Sequence, residues 1–170
     1  MQSNFETCLA LMLAHEGGYV DHKLDPGGRT NHGVTQRVWE EWVGHEVDEK
    51  QMRALTHEMV APLYKRKYWD AVRADDLVAG VDYCVFDVAV NSGPGRAIKF
   101  LQSSVGVTAD GGFGPATLAA VTKEDPTRLI EMYCAKRLEF LQSLKTFETF
   151  GKGWSRRVQE VKDKALKMLG

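Results

Sequence analysis

Apolar side chains return every three or four positions from Phe5 through Cys8, Leu9, Met12 and Leu13, which is the spacing of one helix face. Ser3 and Glu6, three residues apart, form a capping box ahead of that run, and Gly17-Gly18 end it. The periodicity then fails. Residues 19–34 are short, glycine-rich and centred on Asp25-Pro26-Gly27-Gly28, which predicts a turn joining two short strands. Helical spacing resumes after Thr35, a capping residue, with Val38, Trp39 and Trp42 on one face. Asp48 with Gln51 offers another cap. A helical stretch with Met59, Leu63 and Tyr64 follows, and Pro62 either kinks it or starts its second part.

The second half reads as helices throughout. Residues 77–90 are apolar almost without interruption, and their length favours a buried helix over a strand. Asn91-Ser92-Gly93-Pro94-Gly95 breaks that run, and Arg96 to Val105 is amphipathic. Asp110-Gly111-Gly112-Phe113-Gly114 turns into a helix with Pro115 near its first position. Asp125-Pro126 starts another, carrying Leu129, Ile130, Tyr133, Leu138 and Leu141, and a basic helix from about residue 154 closes the chain. These elements predict a mainly α fold, a helical bundle with one small β-ribbon near residue 25. The expected division is a lobe over residues 1–75 and a helical lobe over 76–170, packed as one globular unit.

Composition narrows the class. At 170 residues, with 44% hydrophobic and 26% charged side chains, the chain can bury a core without disulfides, and disorder is excluded. Cys8, Cys84 and Cys134 are widely spaced among apolar neighbours, which predicts buried free thiols rather than a disulfide framework or a zinc site. No apolar run reaches membrane-spanning length, and the first residues lack a signal peptide's basic and apolar regions. Synthesis in the cytoplasm is therefore expected. Net charge is −1 but uneven: residues 151–170 carry six cations against two acids, a net of +4 that leaves −5 elsewhere. That tail is either a solvated face or an attraction to an anionic surface. It lacks the interleaved aromatics of a single-stranded nucleic-acid binder.

Candidate chemistry gathers in His15-Glu16-Gly17-Gly18-Tyr19 and Leu24-Asp25-Pro26-Gly27-Gly28-Arg29-Thr30-Asn31-His32-Gly33. One carboxylate stands at a helix end and a second on a tight turn, with a hydroxyl and an amide following at Thr30 and Asn31. Breaking a glycosidic bond needs a proton for the leaving oxygen and a negative or water-positioning group across the sugar. At a helix C-terminus the macrodipole disfavours a carboxylate, so Glu16 is suited to donate a proton. The plain alternative is a solvated residue before a glycine cap. Tyr19, beside the acid, is a candidate for stacking on a sugar, and His32 is a candidate contact. No phosphate loop, nucleophile elbow or metal-ligand spacing appears, and no cofactor is expected.

Glu16-Gly17-Gly18-Tyr19, Asp25-Pro26-Gly27-Gly28, Thr30-Asn31 and Gly33 resemble the opening of glycoside hydrolase family 108, the N-acetylmuramidases found in many phage endolysins. The Glu, Asp and Thr spacing is also close to that of the phage lysozymes. The resemblance implies a lysozyme-like fold, and hydrolysis between N-acetylmuramic acid and N-acetylglucosamine. It makes Glu16 the general acid. Asp25 then positions or activates water, or stabilises oxocarbenium charge, and Thr30 helps to hold the water.

Phe86-Asp87-Val88-Ala89-Val90-Asn91-Ser92-Gly93-Pro94, Ala97 to Gln102, and Asp110-Gly111 with Gly114-Pro115-Ala116-Thr117-Leu118 resemble the peptidoglycan-binding region that follows the catalytic segment in that family. Asp87 and Asn91, i and i+4 on one helix face, either line a groove for sugar hydroxyls or satisfy loop backbone. Gln102 either binds a sugar or sits on the surface, and Asp110 caps its own turn. The implied partner is peptidoglycan, met by a monomer acting on the wall after holin-type release, with the basic tail drawn to an anionic envelope. A lytic transglycosylase, a non-catalytic wall-binding protein and a bacterial wall-degrading toxin are the rival readings.

Overall fold

The computed structural model describes residues 4–21 and 28–170; the expected cap at Ser3 and the turn at Asp25-Pro26-Gly27 lie outside the described residues. The chain divides into two compact units, residues 6–66 and residues 67–170 with the segment before Glu6.

In the smaller unit, helix α1 (Phe5–Leu13) buries Cys8, Leu9, Met12 and Leu13, as the spacing predicts. The last regular helical residue is Leu13, and turn bonds from His15 and Glu16 to Met12 and Leu13 carry the chain on. An antiparallel sheet follows, made of β1 (Val20–Asp21), β2 (Arg29–Asn31) and β3 (Val34–Thr35) in that order. It has one strand more than the sequence predicts, because β3 is only two residues long and too short to show alternation. Val20 pairs with Thr30, and Asn31 with Val34, so His32-Gly33 is a two-residue hairpin loop. Both loop residues have positive φ, 51° and 76°, as a turn matching the strand twist requires.

Thr35 caps α2 (Gln36–Val43) by accepting from the Val38 N–H. Asp48 and Gln51 make the expected reciprocal box on α3 (Glu49–Arg53). Thr56 caps α4 (His57–Tyr64) through the Met59 N–H. Pro62 sits inside α4, and a π-helical segment, Lys65–Trp69, follows directly.

The larger unit is built around α5 (Val81–Ser92), whose residues 81–89 are all buried. A helix apolar on every side has to be surrounded, and α6 (Pro94–Val105), α8 (Pro126–Gln142) and α9 (Phe147–Lys167) pack against it. Helix α7 (Pro115–Lys123) packs on α6 and carries Pro115 at its start, as expected. Gly80 brings α5 close to α9: a Cβ there would fall 2.5 Å from the Ala165 carbonyl oxygen. Phe5, Trp69 and Phe86 form an edge-to-face aromatic triangle with centroids 5.3 to 5.9 Å apart. The final helix starts at Phe147, about two turns before the expected start near residue 154.

All three cysteines are buried and free, as their neighbours predict. Cys84 and Cys134 meet between α5 and α8 with their sulfurs 3.8 Å apart. No helix among the described residues is long and apolar enough to cross a membrane.

Candidate active site

The smaller unit brings Glu16 to the β2–β3 hairpin. Glu16 follows α1 within a bend and is half-buried. Its side chain lies against the Gly33 α-carbon: a Cβ built there would be 3.1 Å from both Cγ and Cδ of Glu16. The same Cβ would be 2.6 Å from the hydroxyl oxygen of Tyr64. The absence of a side chain at 33 is therefore what lets a carboxyl and a phenol share this spot. By these contacts the hydroxyl oxygen and the carboxyl carbon are less than about 6 Å apart.

The turn itself is tied down from three sides. Tyr64 donates its hydroxyl proton to the His32 carbonyl over 2.8 Å. His32 holds a ring nitrogen 2.9 Å from the Leu55 carbonyl, and since a carbonyl only accepts, Nε2 carries the proton. Its ring also meets His57 edge to face at 4.7 Å. Asn31 donates from Nδ2 to the Met52 carbonyl at 2.9 Å, and to that of Arg53 at 3.4 Å. A non-glycine residue at φ 51° carries strain, and these bonds hold it in place.

Thr30 stands in the middle of β2, half-buried, three residues before the glycine that Glu16 touches. Strand alternation turns it to the sheet face opposite Asn31. Tyr19 is half-buried, with the Arg53 guanidinium 4.0 Å over its ring, so one aromatic face is already occupied. Asp25 lies outside the described residues.

Several candidate site residues have other occupations. Asn31 is 4% exposed and its amide is committed to α3. Asp87 is fully enclosed and bonded to Arg137 and Arg157. Burial alone would push its carboxyl up; the two guanidiniums together hold it below the usual range. Asn91, its partner in the expected groove face, is exposed at the end of α5. Gln102 is 1% exposed: its amide nitrogen donates to Asp110, the Gly112 carbonyl and Thr117, while its oxygen accepts from Gly111. Of the two readings of Asp87 and Asn91, a sugar groove or loop backbone, neither holds for Asp87, which sits in an interior ion cluster. Gln102 is neither at the surface nor open to a sugar but closes a loop. Asp110 also accepts from the Gly112 N–H, and these two donors hold its carboxyl down.

Spacing alone did not single out Tyr64, which reads as one more apolar member of a helix face. The available signal was chemical: a buried tyrosine hydroxyl needs a partner, so it usually points to a polar feature. Among the described residues no cluster of His, Cys, Asp and Glu is arranged to hold a metal ion.

The family described as Glycosyl hydrolase 108 matches residues 9–93, and the family described as Predicted Peptidoglycan domain matches residues 96–159. The solved structure of SagA from Brucella abortus is 45% identical, with a TM-score of 0.85 over 97% of this chain and 95% of that one. Among curated proteins there is no match. The fold is lysozyme-like and mainly α. This chain belongs to glycosyl hydrolase family 108, followed by a peptidoglycan domain, and is a glycoside hydrolase that acts on peptidoglycan.

Proposed function

We propose that this chain is an N-acetylmuramidase of the endolysin type, hydrolysing the bond between N-acetylmuramic acid and N-acetylglucosamine. Glu16 is the general acid. It gives its proton to the leaving oxygen as the glycosidic bond breaks, and water supplies the hydroxyl of the new reducing end. Asp25 positions or activates that water, or stabilises the charge on the ring. Thr30 helps to hold the water. The observation that supports this most is the seat of Glu16. A half-buried carboxyl lies against a tied hairpin turn, and the strand leading into that turn carries Thr30. A fixed acid beside a rigid edge suits proton donation to an extended polymer.

The enzyme acts as a monomer. It reaches the wall once a holin-type partner opens the cytoplasmic membrane, and the basic side of α9 draws it to the anionic envelope.

The test is Glu16→Gln, which keeps shape and removes the proton donor. The variant should melt as wild type does and release new reducing ends from purified walls at least about 100-fold more slowly. Near wild-type release would reject the assignment. Asp25→Ala should also be severe and Thr30→Ala partial. Wild-type fragments should weigh one water more than the anhydro-sugars a transglycosylase leaves. In cells made permeable with chloroform, wild type should clear turbidity and Glu16→Gln should not.

A further inference from the structure

We propose that Tyr64 is a positioning residue for the acid, and that Tyr64 and Gly33 together form the seat in which the Glu16 carboxyl is held for proton donation. This rests on the reading of Glu16 as the acid. A phenol has one proton, and that of Tyr64 goes to the His32 carbonyl over 2.8 Å. The oxygen left beside Glu16 can then only accept. The phenol thus ties the turn that walls the Glu16 side chain, and its oxygen stands at the same glycine that the carboxyl touches.

The seat is rigid because each wall is anchored separately. Tyr64 is 2% exposed, at the end of α4. Directly after it the backbone winds into a π-helical segment, Lys65–Trp69, a distortion found often at functional sites. The opposing wall is the hairpin turn, pinned by Asn31 to α3 and by His32 to the Leu55 carbonyl. Gly33 is required twice over. Its φ of +76° disfavours any side chain, and a Cβ would strike the Tyr64 oxygen and crowd the Glu16 carboxyl.

The test compares two substrates with different need for an acid. One is the natural glycan, whose leaving sugar must be protonated. The other is a soluble oligosaccharide carrying a dinitrophenyl leaving group, which departs without a proton. Tyr64→Phe should lower kcat on the glycan by about 10- to 100-fold with KM within about threefold, and change the dinitrophenyl rate by less than about threefold. Gly33→Ala should show the same selectivity with a larger loss.

Equal losses on both substrates would make Tyr64 merely structural and overturn the proposal. Unchanged kcat on the glycan would overturn it too. Glu16→Gln, run alongside, separates the two failures. If it loses the glycan reaction selectively while Tyr64→Phe does not, only the seat is wrong. If Glu16→Gln is itself active on the glycan, the acid assignment has failed.

Discussion

Arg137 on α8 donates from Nη1 to Oδ2 of Asp87 on α5 over 2.7 Å, with 4% of the arginine side chain and none of the aspartate side chain open to water. Arg157 on α9 completes the group, with Nη2 2.9 Å from Oδ1 and Nε 3.2 Å from Oδ2. One carboxylate thus joins the three helices at the centre of the larger unit.

Removing that carboxylate should be far more damaging than any surface change, because it strands two guanidiniums against a buried neutral group. Asp87→Asn is expected to lower the free energy of unfolding by about 3–5 kcal/mol, read from urea denaturation. A loss below about 1 kcal/mol would mean that water reaches the cluster. The pH dependence has a definite sign. The folded carboxyl is held below its unfolded value of 3.8, so its stabilisation is present above that value and is lost as pH falls through the folded one.

Asp82 carries the opposite dependence. It is 3% exposed at the start of α5, and burial pushes its carboxyl up to about 6 despite bonds from Asn4 and the N–H groups of Gly80 and Tyr83. The folded state then holds the proton more tightly than the unfolded chain does. Stability from this group is fully present below the unfolded value of 3.8 and is lost as pH rises through about 6. Asp82→Asn keeps an acceptor for the two backbone donors and cannot ionise. Relative to wild type it should gain stability between pH 4 and pH 7, by on the order of 2 kcal/mol. Parallel melting curves across that range would refute the shift. The Asp87 response falls below this window and does not mask it.

Signals that act within a few residues are legible in the sequence. The Thr35 cap, the Asp48–Gln51 box, Pro115 at a helix start and the Asp125-Pro126 opening of α8 all depend on neighbouring backbone, and each stands where the pattern put it. So does the buried run that became α5, because an apolar stretch of that length leaves few alternatives. What failed was pairing across distance. Asp87 and Asn91 share a helix spacing, but a face is dry or wet according to what packs on it, and Arg137 and Arg157 come from 50 and 70 residues away. Gln102 was undecidable for the same reason, since its partners Asp110, Gly112 and Thr117 converge only once the loop closes. In the candidate site, Glu16 and Gly33 belong to one readable motif, whereas Tyr64 arrives from another helix.

The basic character of α9 requires a sharper test than truncation. Deleting residues 154–170 would remove Val158, Val161 and Ala165 from the core and take Arg157 from Asp87, so any loss of activity would be uninterpretable. Lys152, Arg156 and Lys167 are exposed and can be reversed to glutamate without touching either. If α9 draws the enzyme to an anionic envelope, this variant should bind and clear intact envelopes about tenfold less well at low salt. Its rate on soluble glycan fragments should change by less than about twofold, and the difference should shrink as salt screens the attraction. The control reverses the exposed Arg37, Lys50 and Arg66 of the smaller unit, which alters net charge by the same amount elsewhere. Equal effects from both triples would show that overall charge matters and the helix does not. No effect from the α9 triple would make its cations a solvated face, leaving recognition of the wall to the rest of the peptidoglycan domain.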